Sequence, residues 1–129
     1  MTDISIILEN AGFCVEEIES LTENLMEGCV EVVLVDPGYL RVLNRNFRHI
    51  DKSTDVLSFD LALREEDRPE GTIYVDGRLF PPMEALLERI FHGYLHLKGY
   101  SHGNEKDTAI MSREVDSLVA EALGKQVKN

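Results

Sequence analysis

A valine-rich run from Val30 to Val35 meets a helix start at Asp36-Pro37, and that junction leaves few architectures open. Branched residues in succession favour a strand. Aspartate followed by proline supplies a capping acceptor and a first helical residue whose missing amide hydrogen costs nothing there. Strand therefore gives way directly to helix, and the same alternation recurs along the chain. Ile4 to Leu8 is a short apolar run suited to a strand, and Phe13 to Met26 has helical spacing through Val15, Ile18, Leu21, Leu25 and Met26. The helix from Pro37 is expected to reach about Arg48, with Leu40, Leu43 and Phe47 on one side.

Lys52-Ser53-Thr54-Asp55 is turn chemistry. Beyond it the chain alternates, Leu57, Phe59, Leu61 and Leu63 against Val56, Ser58, Asp60 and Ala62, which predicts a strand with one core face. Arg64 to Glu70 reads as a charged loop, and Thr72 to Asp76 as a fourth strand. Pro81-Pro82 opens the most apolar helix, built on Met83, Leu86, Leu87, Ile90, Tyr94 and Leu97, which should end near Lys98 with Gly99 as a left-handed stop. Asn104 can cap a last helix, packed through Met111, Val115, Leu118 and Val119 and ending at Gly124. The pattern predicts one α/β domain over residues 1–129 with four strands and about four helices, and leaves open whether the sheet is parallel or mixed. The short link from third to fourth strand implies at least one antiparallel pair.

Composition limits the function classes. A 43% hydrophobic content with 9 Gly and 4 Pro describes a globular chain. Met1-Thr2-Asp3-Ile4 has no basic start and no apolar run reaches spanning length, so no membrane role is expected. Cys14 and Cys29 cannot form a disulfide framework, which points to a reducing compartment, the cytoplasm. Twenty-four acidic against thirteen basic residues leave a net charge of −11, the wrong sign for a nucleic-acid binder unless a basic patch is local. The densest such patch is Arg41, Arg45 and Arg48, at i, i+4 and i+7, followed by His49 and Lys52. Arg41, Arg45, Arg48 and Lys52 are the candidate substrate-binding residues; a solvated face pairing with nearby acids is the plainer reading of Arg41 and Arg45.

Three of the four histidines fall in the eleven residues from His92 to His102. Positions four apart stack on one helix face, so His92 and His96 can present two imidazoles to one ion. Gly99 breaks the helix and allows His102 to return as a third ligand. Three protein ligands leave a tetrahedral position for water, as in catalytic zinc sites. An i, i+4 histidine pair alone is more often merely solvated; the third histidine after a helix stop brings the metal reading level with that one. In the HExxH metalloprotease helix a glutamate follows the first histidine, and here Gly93 stands there, leaving a peptidase without its base but leaving space beside the metal.

The run His92-Gly-Tyr-Leu-His96-Leu-Lys-Gly-Tyr-Ser-His102 resembles the HGxLHLxGYDH signature of the YbeY family of ribosomal-RNA maturation endoribonucleases. Leu43-Asn44-Arg45-Asn46-Phe47-Arg48 with Asp51 to Phe59 is similar to that family's LNxxYRxKDxPTDVLSFP stretch, and Gly71-Thr72-Ile73 weakly resembles its GDI strand. The resemblance implies a mixed α/β fold with the metal site on a central helix. It also implies one zinc per chain, with nickel or another divalent ion able to substitute in vitro. The activity implied is single-strand-specific RNA cleavage in ribosomal-RNA maturation, at the 16S rRNA 3′ end, and in ribosome quality control. Partners would be ribosomal RNA and the ribosome or its small-subunit proteins. Carried over by position, His92, His96 and His102 become metal ligands, and Arg48 with His92 the catalytic residues. Four departures stand out: Ser101 for the Asp before the last histidine, Thr72 for the Asp of GDI, Asp60 for Pro, and a shorter connection from Val75 to the metal helix. Ser101 is the residue expected to orient a ligand from behind, a role worth ~10–100-fold in metal affinity. Two rival functions remain at this level, a zinc peptidase-like hydrolase and a ribosome-associated metal-binding factor without catalysis.

Overall fold

The structure, a computed structural model, describes residues 2–6, 14–61, 69–78, 82–100 and 103–127. Its elements run β1 (Thr2–Ile6), α1 (Val15–Thr22), β2 (Cys29–Val35), α2 (Pro37–Arg48), β3 (Val56–Asp60), β4 (Glu70–Asp76), α3 (Pro82–Leu97) and α4 (Glu105–Val127). The sheet order is β1-β2-β4-β3. β1 and β4 both pair with β2 in parallel, and β3 lies antiparallel to β4 at the edge, Ser58 opposite Ile73. The antiparallel pair is thus as the short link implies, and the mixed sheet is as the family resemblance implies.

Strand alternation divides the sheet between two cores. Val30, Val32, Leu34, Ile73 and Val75 face α1, α3 and α4 in the main core, while Val33, Val35 and Leu57 face Leu40 of α2 in a small one. β3 therefore has a covered side in both directions, not one core face. Leu57 and Phe59 lie toward α2 and Val56 toward the main core; Leu61 is exposed, and Leu63 lies outside the described residues.

The junction that opens α2 is formed as its residues dictate. The Asp36 carboxylate accepts from the Tyr39 amide at 2.8 Å, and Pro37 takes the first position. The stop is less expected: His49 adopts the left-handed region (φ 59°), and the Ile50 amide reaches back to the Asn44 carbonyl at 3.2 Å. Asn104 caps α4 through the Asp107 amide at 2.8 Å, and Gly99, at φ 100°, ends α3. Several boundaries differ from the spacing: β4 starts at Glu70, two residues before Thr72 and at the end of the expected loop, and β3 ends at Asp60. α1 stops at Thr22, and Met26 is buried from the following segment. β1 starts at Thr2, two residues earlier than its apolar run. α4 passes through Gly124, where glycine costs about 1 kcal/mol but does not end a helix by itself.

Candidate functional site

α3 positions the central groups. It is wedged between the sheet and α4, so Phe91 and Leu95 are buried along with the expected stripe of Leu86, Leu87, Ile90, Tyr94 and Leu97. Only a narrow margin of the helix escapes, and His92 and His96 lie half-buried on it. Gly93 sits on the buried side. A Cβ there would fall 2.6 Å from Ile73 Cγ2, so this glycine lets α3 lie close on β4. It also lines the cavity between the histidines and β3.

Two imidazole nitrogens converge. The Nε2 atoms of His92 and His96 are 3.2 Å apart. Two nitrogens each held 2.0–2.1 Å from one tetrahedral ion would be about 3.3–3.4 Å apart, so the pair fits a shared cation. The other nitrogen of His96, Nδ1, lies 3.1 Å from the Tyr100 carbonyl. A carbonyl can only accept, so Nδ1 carries the proton, and in the neutral form of the ring the Nε2 lone pair turns toward His92. The Gly99 stop is what brings that carbonyl back over the ring. Among the described residues no three His, Cys, Asp or Glu side chains converge on one point; His102 and Ser101 lie outside those residues.

Arg48, at the last turn of α2, comes to the same place from the opposite side of the sheet. A cavity of about 290 Å³ is lined by Arg48, Thr54, Asp55, Ser58, His92 and His96. Edge strand β3 forms its floor, with α2 on one flank and α3 on the other. The remaining basic candidates stand elsewhere. Arg41 holds Asp51 through Nε at 2.8 Å and a second nitrogen at 3.3 Å, in an exposed pair. Arg45 and Lys52 are exposed, and none of the three lines this cavity. The hydrogen bond and charge of Arg41, with the charge of Arg45, hold the Asp51 carboxyl below the usual carboxylate range.

Sequence spacing missed one pair. Arg89 Nε donates to Asp55 at 2.5 Å, with Glu88 on Nη1 at 3.0 Å. Burial pulls the guanidinium down, but these carboxylates outweigh it and hold Arg89 above its ordinary value. The pair ties the turn before β3 to α3, one helical turn ahead of His92. A spacing of three from His92 was the available signal. Thr72, by contrast, lines a different cavity and donates to Glu31 at 3.3 Å across the β2–β4 pair. An aspartate in its place would face that carboxylate. Asn44, buried on α2, donates to the Lys52 carbonyl at 2.9 Å and so anchors the turn leading to Thr54 and Asp55.

Comparison with known proteins decides the relationship. The family model described as Endoribonuclease YbeY matches residues 4–80. Endoribonuclease YbeY of Carboxydothermus hydrogenoformans is 37% identical over 116 residues, covering 81% of this chain and 79% of that protein. This chain belongs to the YbeY family. The family's protein from Nitratiruptor sp. is 36% identical over 120 residues, covering 84% of this chain and 80% of its own. The solution structure of TM1509 from Thermotoga maritima superposes with a TM-score of 0.62 at 31% identity, covering 98% of this chain and 91% of that one. The family-model match ends two residues before α3, so the histidine pair rests on its own geometry and on the motif it carries. Among the described residues no helix is long and apolar enough to cross a membrane.

Proposed function

We propose that this chain is a metal-dependent endoribonuclease that cuts single-stranded RNA during ribosomal-RNA maturation and ribosome quality control, in the cytoplasm and in contact with the ribosome. The observation that carries the reading is the meeting of two Nε2 atoms, 3.2 Å apart, with Arg48 across one cavity, in a chain of the YbeY family. His92 and His96, with His102 as third ligand, would hold one divalent ion, zinc first by ligand chemistry and nickel or iron by the same donors. When bound, the ion supplies a polarised phosphate oxygen and a water acidified to a pKa of about 7. His96 is held for that role by the Tyr100 carbonyl. Arg48 is the phosphate clamp: its planar fork grips two oxygens and meets the charge that grows as the phosphodiester breaks. Arg45 and Lys52 guide the backbone toward it, and Arg41 is spent largely on Asp51.

Metal analysis beside cleavage of labelled single-stranded and duplex RNA, with and without chelator, tests the reading. His96→Ala should lose the metal and cleavage together. Arg48→Ala should keep the metal and its fold and lose ~10²–10³ in rate. Arg48→Lys should rescue poorly, because a point charge lacks the fork. Wild-type cleavage by metal-replete Arg48→Ala removes Arg48 from the chemistry. A metal-loaded wild type that binds RNA and cuts none replaces the ribonuclease with a binding factor. Full metal content in His96→Ala would sink the ligand assignment.

A further inference from the structure

Beside the His96 and Arg48 side chains lies a second cavity, of about 420 Å³, that the cleavage chemistry leaves unused. Phe47, Arg48, Ser58, Phe59, Asp60 and His96 are among its walls. Its volume falls in the range of small-molecule sites. Phe47 is 65% exposed, the most exposed of the large apolar side chains in the described residues. Its ring is nonetheless held in orientation: it meets Phe59 edge-to-face at 5.5 Å, and Phe59 meets Tyr74 the same way at 5.7 Å. An aromatic held at the margin of a cavity, next in sequence to a cavity-lining arginine, is the pairing by which proteins hold single-stranded nucleic acid: the ring stacks a base and the cation takes the adjoining phosphate. Charge sorts the two ends. Arg48 faces both cavities, whereas Asp60 stands only on the second. A carboxylate on that wall suits an uncharged ring better than a phosphate.

From this arrangement we infer that the cavity between Phe47 and the end of α3 is a nucleobase subsite, in which a base flanking the scissile phosphate stacks on Phe47. The inference rests on the RNA reading of the neighbouring site and deepens it. It gives single-strand preference a physical origin, since a base already stacked between neighbours in a duplex cannot also stack on Phe47. The occupant is a base of the substrate, not a protein partner or a second copy of the chain.

The test uses the full chain in chelator, so that binding is read without cleavage, and short unstructured RNAs carrying one 2-aminopurine at successive positions. Dye anisotropy gives the affinity, and 2-aminopurine quenching reports stacking. Wild type should quench strongly at one position. Phe47→Ala should raise Kd about ten- to a hundredfold and abolish that quench, with duplex RNA affinity unchanged. Phe47→Trp should keep both, and Phe47→Leu, apolar without a π-face, should behave as Ala. The exposed site makes these variants safe for folding, which a thermal melt confirms. Equal Kd and quench in Phe47→Ala overturns the subsite, as does full function in Phe47→Leu. A dimer in wild type that Phe47→Ala dissociates overturns it also, making the ring an interface. Metal-loaded wild type that cuts RNA while no position is quenched removes the subsite and leaves the ribonuclease. Phe47-dependent quenching without any cleavage does the reverse.

Discussion

Replacing Gly93 by alanine sets helix propensity against packing, and the structure says which wins. On an exposed helix the change is favourable by about 1 kcal/mol. Here the new Cβ would lie 2.6 Å from Ile73 Cγ2, with Cγ1 at 3.3 Å and Cδ1 at 3.4 Å. Carbon atoms rest about 3.5–4.0 Å apart, so α3 must lift by about 1 Å or Ile73 must turn. Ile73 is fully buried and branched at Cβ, so it has no rotamer to offer cheaply. Overpacking of this kind costs ~1–3 kcal/mol. The net effect is a loss of up to about 2 kcal/mol where propensity alone would give a gain. Urea denaturation at constant slope measures it. The diagnostic is the same change in an Ile73→Ala background, where the clash is gone and Gly93→Ala should stabilise by about 1 kcal/mol. A lift of 1 Å also moves His92 relative to Arg48, and misplacement on that scale can cost ~10² in rate. Stabilisation of the wild-type protein by Gly93→Ala, or an identical effect in both backgrounds, would refute the close approach of α3 on β4.

Two further outcomes follow from groups outside the cleft. Asp51 is held below the usual carboxylate range, chiefly by its hydrogen bond to Arg41, so its contribution to stability is present above the unfolded value of about 3.9 and lost as pH falls through the folded value; NMR titration should show Asp51 moving upward in Arg41→Ala, and an unmoved Asp51 means the pair does not persist in solution. His49→Gly should raise the melting temperature modestly, by less than about 1 kcal/mol in stability, because φ 59° strains a side-chain-bearing residue while glycine gains freedom in the unfolded chain; a lower melting temperature would show that the His49 side chain holds the helix end.

What the sequence disclosed and what it withheld divide by range. Asp36-Pro37, Asn104 and Gly99 act within three or four residues, and each element edge they mark is where the residues put it. The His92–His96 face is equally local, a matter of spacing four. Arg89 and Asp55 are 34 positions apart, and only the packing of α3 beside β3 introduces them. Arg41 has the spacing of a substrate-facing residue, but Asp51, ten positions on, folds back over it once His49 turns the chain. The glycine at position 93 signals that a side chain is unwelcome without naming the neighbour that excludes it. Motif order brought Arg48 to the histidines where physics alone could not, because the two helices meet only around the edge of a sheet.

That edge has a thermodynamic consequence. The histidines are mounted on the main core, whereas Arg48 belongs to a helix secured by a core of four buried residues, Val33, Val35, Leu40 and Leu57. Small cooperative units open at a fraction of the global free energy. Detachment of α2 would therefore take Arg48 away from the His92–His96 pair, and from the ion proposed to sit on it. On the proposed function this would be a third condition between folded and unfolded, in which a metal-loaded protein could not grip a phosphate. Its population is set by residues on the far face of the sheet from the chemistry. Hydrogen exchange in α2 would count those molecules, and trimming Leu40 would make more of them while the metal content stayed constant.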